Sequence, residues 1–260
     1  MKTHVYTLAY NLTTEVERAV KSLYDFNDRT FDHYIVDLGF PLLKGDEVPD
    51  DINEAKELNS DALLEICAKY KSIYIKQPNI GVSQNTGGIY RTIKPSDDDV
   101  LISCEPDEIQ NEPNWVLALQ RVLSADKTMG YCAPILTDAI PVLRNNRHIQ
   151  KIVVDGINLY DMKDANINYG QIAYSCRFLN RMGGVPFLET MKIYGGLENA
   201  LQLHLKQYKM RWGILTDFTT KHTNNGKLYR EWKDYIIIRN HDKEQITFEE
   251  FLELKKQGNA

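Results

Sequence analysis

Short β-prone apolar runs alternate with segments of helical apolar spacing through the first 135 residues, and few architectures accept that pattern. The runs at 5–9, 33–38, 72–76, 99–104 and 130–135 each suit one buried strand. Between them, Val16, Ala19, Val20 and Leu23 follow a capping Thr13 or Thr14, and Leu63, Leu64, Ile66 and Cys67 follow Asp61. Ile89 and Ile93 lie on a helix opened by residues 79–85, and Val116, Leu119, Val122 and Leu123 follow Pro113-Asn114-Trp115. A parallel strand pair needs a crossover, and the crossover helix packs on the sheet it bridges. The expected class is therefore α/β, a mixed and mostly parallel sheet flanked by helices. The acidic stretch 46–51 reads as an exposed loop.

The second half is less regular. Residues 149–154 and 171–178 read as strands, Gly183-Gly184 and Gly195-Gly196 as turns, and 197–208 as a helix bearing Leu201, Leu203, Leu205 and Tyr208. A further strand at 212–215 precedes His222. Thr247 and Glu250 form a capping-box pattern at the start of a terminal helix. No internal repeat of 20–50 residues is visible.

With 260 residues the chain can build one large or two small domains. No apolar run approaches the roughly 20 residues that span a bilayer. The first eight residues hold too short an apolar core for a signal peptide. Cys67, Cys104, Cys132 and Cys176 are scattered in apolar contexts without a Cys-x-x-Cys pair, so buried free thiols in a reducing, cytoplasmic setting are expected. Residues 1–130 carry 13 basic against 22 acidic side chains, and residues 131–260 carry 18 against 14. The basic run Arg144-Asn145-Asn146-Arg147-His148-Ile149-Gln150-Lys151 is either a positive rim for an anionic substrate or a solvated loop.

The run Val100-Leu101-Ile102-Ser103-Cys104 ends at Glu105-Pro106-Asp107. Acids at the carboxyl end of a buried strand stand where open α/β sheets bind ligands. Two carboxylates one residue apart, with proline fixing φ between them, suit a hard divalent cation that also grips a diphosphate. A solvated acidic turn is the plainer account of the same three residues.

Several dispersed pieces, in order over residues 3–223, resemble the inverting glycosyltransferases of GT-A fold related to family two. Leu8-Ala9-Tyr10-Asn11 resembles that family's first-strand end. Asp37-Leu38-Gly39 resembles its Asp-Asn-Gly. Asn79-Ile80-Gly81-Val82-Ser83-Gln84-Asn85 with Gly88-Ile89 resembles its Asn-x-Gly-x-x-x-Ala stretch. Glu105-Pro106-Asp107 takes the place of its Asp-x-Asp motif, and Pro113-Asn114-Trp115 that of a following Pro-x-Trp. Gly196-Leu197-Glu198 resembles the Gly-Glu-Asp that opens its catalytic helix, and His222 falls where it places a metal-binding histidine. The chain departs from the pattern at Glu105, Leu197 and Glu198, and in the Leu-Ala of its first strand.

The resemblance implies a hexosyl or pentosyl transfer from a nucleotide-diphosphate sugar to an acceptor hydroxyl. Glu198 is implied as the base. Tyr10, Asp37, Gly81, Asn85 and Glu105 are implied as donor-binding residues, with Asp37 accepting from the imide N–H of a uracil or thymine ring. Asp107, Glu105 and His222 are implied as the metal set, for Mn2+ or Mg2+. Glu105 would bind the metal through water or hold the ribose. Residues 1–225 would form the GT-A domain, split into a nucleotide half (1–110) and an acceptor half (111–225), with 226–260 an extension packing on it. The acceptor stays open among glycan, protein and small molecule, with a nucleic-acid base a minor alternative. A non-catalytic sugar-nucleotide-binding module and a nucleotidyltransferase are the competing functions.

Overall fold

The computed structural model describes residues 1–9, 13–38, 60–78, 82–110, 112–137, 149–162, 171–186, 196–223 and 247–257. In chain order come β1 (Thr3–Ala9), α1 (Thr13–Phe26), β2 (Asp32–Asp37), α2 (Ser60–Tyr70), β3 (Ile73–Lys76), α3 (Val82–Ile93) and β4 (Val100–Ser103). They are followed by β5 (Glu108–Gln110), α4 (Trp115–Ala125), β6 (Met129–Leu136), β7 (Gln150–Val154), β8 (Ile157–Asp161), β9 (Ala173–Ser175), α5 (Cys176–Met182), α6 (Gly196–Tyr208), β10 (Arg211–His222) and α7 (Phe248–Lys256).

The described strands form one sheet in the order β3-β2-β1-β4-β9-β6-β10-β8-β7, with β5 paired to the far end of β10. Parallel pairing joins β1 to β2 and β4, β2 to β3, and β6 to β10. β9 runs antiparallel between β4 and β6, and β8 antiparallel between β10 and β7. Most strands therefore share one direction, with β5, β8 and β9 reversed, and helices cover both faces.

Side-chain alternation along β4 shows the layers. Leu101 faces a core that holds Ile89 of α3, Phe178 of α5, and Leu201 and Leu205 of α6. Val100 and Ile102 face the opposite core, with Leu23 of α1 and Trp115, Val116 and Leu119 of α4. A strand buried on both faces reads as a continuous apolar run, which is what 100–102 shows. α2 completes the second layer, packing Leu63, Ile66, Cys67 and Tyr70 with Val16 and Val20 of α1. All four cysteines are buried and free.

Some expected elements change. Within 171–178 only Ala173–Ser175 is strand, and the chain turns into α5 at Cys176. Cys176, Phe178 and Leu179 fill one buried stripe there, so the apolar density serves a helix rather than a longer strand. The strand at 212–215 runs on to His222. Leu64 and Leu203, expected on apolar faces, are 46% and 61% exposed. Each sits off the i, i+3, i+4 stripe that its neighbours use.

Candidate functional site

The chain lays β2 on one side of β1 and later β4 on the other, so the sheet order reverses between β1 and β4. Ligands of open α/β sheets bind in the crevice beyond the carboxyl ends of the strands at such a point. Register fixes what stands there: Ala9 is level with Asp37 of β2, and Tyr6 with Ser103 of β4. Asp37 and the Glu105-Pro106-Asp107 turn thus share one edge of the sheet, on either side of β1. Strands one position removed lie roughly 10 Å apart.

The acid turn is tied down from several directions. The Cys104 amide donates to the Tyr6 carbonyl at 2.8 Å, continuing the β1–β4 ladder into the turn. The Ser103 hydroxyl donates to Glu105 Oε1. Glu105 and Asp107 are partly exposed, whereas Glu108, the first residue of β5, is 2% exposed. Glu108 Oε2 accepts from the Gln171 amide at 3.1 Å. Burial, and after it the charges of Asp107 and Glu105, push the Glu108 carboxyl well above the usual carboxylate range. The end of β10 closes on the turn. The Thr223 amide and hydroxyl donate to the Asp107 carbonyl at 2.7 and 3.0 Å. His222 is the register partner of Glu108, with its Nε2 3.7 Å from Glu108 Oε1.

Across β1, Asp37 is buried at the end of β2. Its Oδ2 accepts from the Tyr74 hydroxyl at 2.5 Å and the Ser60 hydroxyl at 2.6 Å, and Lys76 Nζ lies 3.9 Å away. These contacts come from β3 and the start of α2. Together they brace the carboxyl at the end of β2.

Asn85 lies in the first turn of α3 and is 1% exposed, and among the described residues neither its amide nitrogen nor its carbonyl oxygen has a hydrogen-bond partner. Leaving such a group unpaired costs about 1–3 kcal/mol, which a polar ligand group reaching it would offset. The neighbouring Thr86 hydroxyl is 3.2 Å from the Tyr6 hydroxyl, and Tyr6 is buried beneath the acid turn.

Asp37, Glu105, Asp107 and His222 therefore meet the same edge of the sheet, and Asn85 opens the helix that follows β3. Glu198 is placed by its backbone in the first turn of α6, whose preceding Leu197 packs on the same core as Val82 of α3. The side chain of Glu198, and Tyr10 and Gly81 entirely, lie outside the described residues. Glu108, Gln171, Ser103 and Tyr74 were not anticipated. Glu108 had a signal, a third acid directly after Asp107, but its strand of three residues is too short to show a period. Gln171 and Tyr74 act through contacts far apart in sequence.

No group of three or more His, Cys, Asp or Glu among the described residues is gathered closely enough to hold a metal ion by itself. A cation shared with a substrate diphosphate does not need such a cage, because one or two carboxylates and the phosphate oxygens suffice for Mg2+-like ions. Carboxylates such as those of Glu105 and Asp107, with an imidazole such as that of His222, are donor types that kind of site accepts.

The chain matches no protein-family model and no curated protein by sequence. Solved structures do match it. A mannosyltransferase from Pyrobaculum calidifontis, in complex with GDP-Man and Mn2+, superposes with a TM-score of 0.59 at 12% identity, over 95% of this chain and 65% of the other. GalNAc-T7 with UDP, GalNAc and Mn2+ gives 0.57 at 14% identity, over 98% of this chain and 53% of the other. Glucosyl-3-phosphoglycerate synthase from Mycobacterium tuberculosis, with Mg2+ and UDP, gives 0.51 at 14% identity, over 86% and 72%. The fold is GT-A. The chain spans less than two thirds of the length of the first two of these proteins. Among the described residues, no helix of this GT-A domain is long and apolar enough to cross a membrane.

Proposed function

We propose that this chain is a metal-dependent glycosyltransferase that moves a sugar from a nucleotide-diphosphate donor, first of all a UDP-sugar, to an acceptor hydroxyl with inversion. What supports the reading is the carboxyl edge of a GT-A sheet, with Glu105 and Asp107 in the turn beyond β4, His222 at the end of β10 opposite Glu108, and a braced Asp37 across β1. Asp37, held by Tyr74 and Ser60, accepts the imide N–H of the base. Asp107 and His222 would hold Mn2+ or Mg2+, with Glu105 bound through water or to the ribose. A divalent cation there supplies Lewis-acid stabilisation of the diphosphate leaving group. Glu198, in the first turn of α6, takes the proton of the acceptor hydroxyl as that oxygen attacks opposite the leaving group.

The test is release of UDP from UDP-sugars, with and without Mn2+, by the full chain. Turnover that requires the metal and disappears in Asp107→Ala and Glu198→Ala supports the reading. Metal-dependent binding with no turnover in the presence of an acceptor panel makes the chain a sugar-nucleotide-binding module instead. Turnover of nucleoside triphosphates alone would make it a nucleotidyltransferase.

A further inference from the structure

We infer that Glu108 is a positioning residue for His222, holding the imidazole towards the acid turn so that it can serve as a ligand; this rests on the reading of His222 as a metal ligand. β5 is only three residues long, yet its pairing with β10 places Glu108 directly opposite His222. Side chains of directly opposed residues in an antiparallel pair project to the same face. The imidazole therefore meets Glu108, and its Nε2 lies 3.7 Å from Oε1. That is slightly longer than a hydrogen bond, and such second-sphere contacts tighten when the site is filled.

The carboxyl is not free to follow the imidazole away. Its other oxygen accepts from the Gln171 amide, and Gln171 is itself buried, with its Oε1 accepting from Gln110 Nε2 at 2.6 Å. The strand that carries His222 is hooked to the same turn by both donors of Thr223 on the Asp107 carbonyl. Four residues earlier along the same strand, the Glu112 carboxylate accepts the Thr219 amide at 2.9 Å and its hydroxyl at 2.5 Å. Acid turn and histidine are thus one mechanical unit. Facing Glu108, Nε2 leaves Nδ1 as the nitrogen available to a cation. Metal-bound histidines characteristically spend their second nitrogen on a carboxylate or carbonyl, which fixes the ring. A buried carboxyl is a costly choice for a three-residue strand unless it does such work.

The experiment measures Mn2+ binding to the full chain in the presence of UDP by electron paramagnetic resonance, and reads echo modulation from a coordinated imidazole nitrogen. UDP binding without metal checks that each variant is folded. His222→Ala is expected to abolish the modulation and weaken Mn2+ about ten-fold or more. Glu108→Gln, close to isosteric, is expected to weaken Mn2+ by about ten-fold and broaden or diminish the modulation. In the double variant, Glu108→Gln adds no further loss. Unchanged affinity and modulation in Glu108→Gln, beside a loss in His222→Ala, overturns the inference and leaves the ligand reading standing. An additive loss in the double variant overturns it too, because Glu108 would then act independently of His222. Full modulation in His222→Ala removes the ligand reading and the inference with it.

Discussion

Asp37 accepts two hydroxyl groups on one oxygen, and removing one of them is a clean perturbation of a single bond. Tyr74→Phe keeps the ring and deletes the donor. A hydrogen bond is worth about 0.5–1.5 kcal/mol net, so UDP affinity by calorimetry is expected to fall about two- to ten-fold, with the fold unchanged. His33 gives a residue-level prediction about acid stability. It is buried with Nε2 3.1 Å from the Thr7 hydroxyl and Nδ1 2.8 Å from the Ser72 hydroxyl, and burial depresses its pKa to about 3. The unfolded chain protonates this imidazole near the ordinary value of about 6.5. Between those two values the unfolded state holds a proton that the folded state refuses. Stability therefore falls as pH drops through that window, by up to about 1.4 kcal/mol per pH unit. Glu108 has the opposite sign: its folded carboxyl keeps a proton above the usual range, so its contribution declines as pH rises past about 4.3. Urea unfolding at pH 5 and pH 7 is expected to show a smaller acid-side loss in His33→Gln than in the parent chain.

At the scale of elements, Gly130 decides how closely α5 and α6 approach β6. A Cβ at this position would stand 2.6 Å from Leu205 Cδ2 and 3.0 Å from Phe178 Cδ1. Gly130→Val is expected to cost about 1–3 kcal/mol in denaturant unfolding, the range for overpacking a filled core. Because α6 carries Glu198, transfer is expected to suffer more than UDP binding. Elements whose own length carries a period were legible in the sequence. α1 buries Val16, Ala19, Val20 and Leu23 as its spacing implies, α4 does the same from Trp115 to Leu123, and Thr247 with Glu250 forms the capping box. β5 and α5 were not legible, since β5 is three residues whose partner β10 comes about a hundred residues later and α5 continues the apolar run of β9 without a break; β8, which pairs with β7 across the Asp155-Gly156 turn, had a hairpin signal that went unread. The same division runs through the site. Asp37 ends a strand and Glu105 and Asp107 follow one, so they could be named in advance, whereas Glu108 and Gln171 owe their importance to a strand pairing and to one backbone hydrogen bond.

For the whole molecule, the acid turn of the amino-terminal half and His222 of the carboxyl-terminal half stand on one edge only because the sheet is continuous through β5 and β10. A ligand that binds the native state alone raises the apparent melting temperature by mass action. UDP with Mn2+ is expected to raise the midpoint of the full chain more than UDP alone, and chelation is expected to return it to the UDP-only value. Asp107→Ala should make the two values equal.

The hook between Thr223 and Asp107 joins groups 116 positions apart. During synthesis, the segment bearing Glu105 and Asp107 leaves the ribosome long before its clasp exists. An emerging chain cut before β10 would own β1, β2 and β4 but have nothing to close on the acid turn. Any activity is therefore expected to arise late and all at once, as the last core strand slides in beside β6 and reaches the turn.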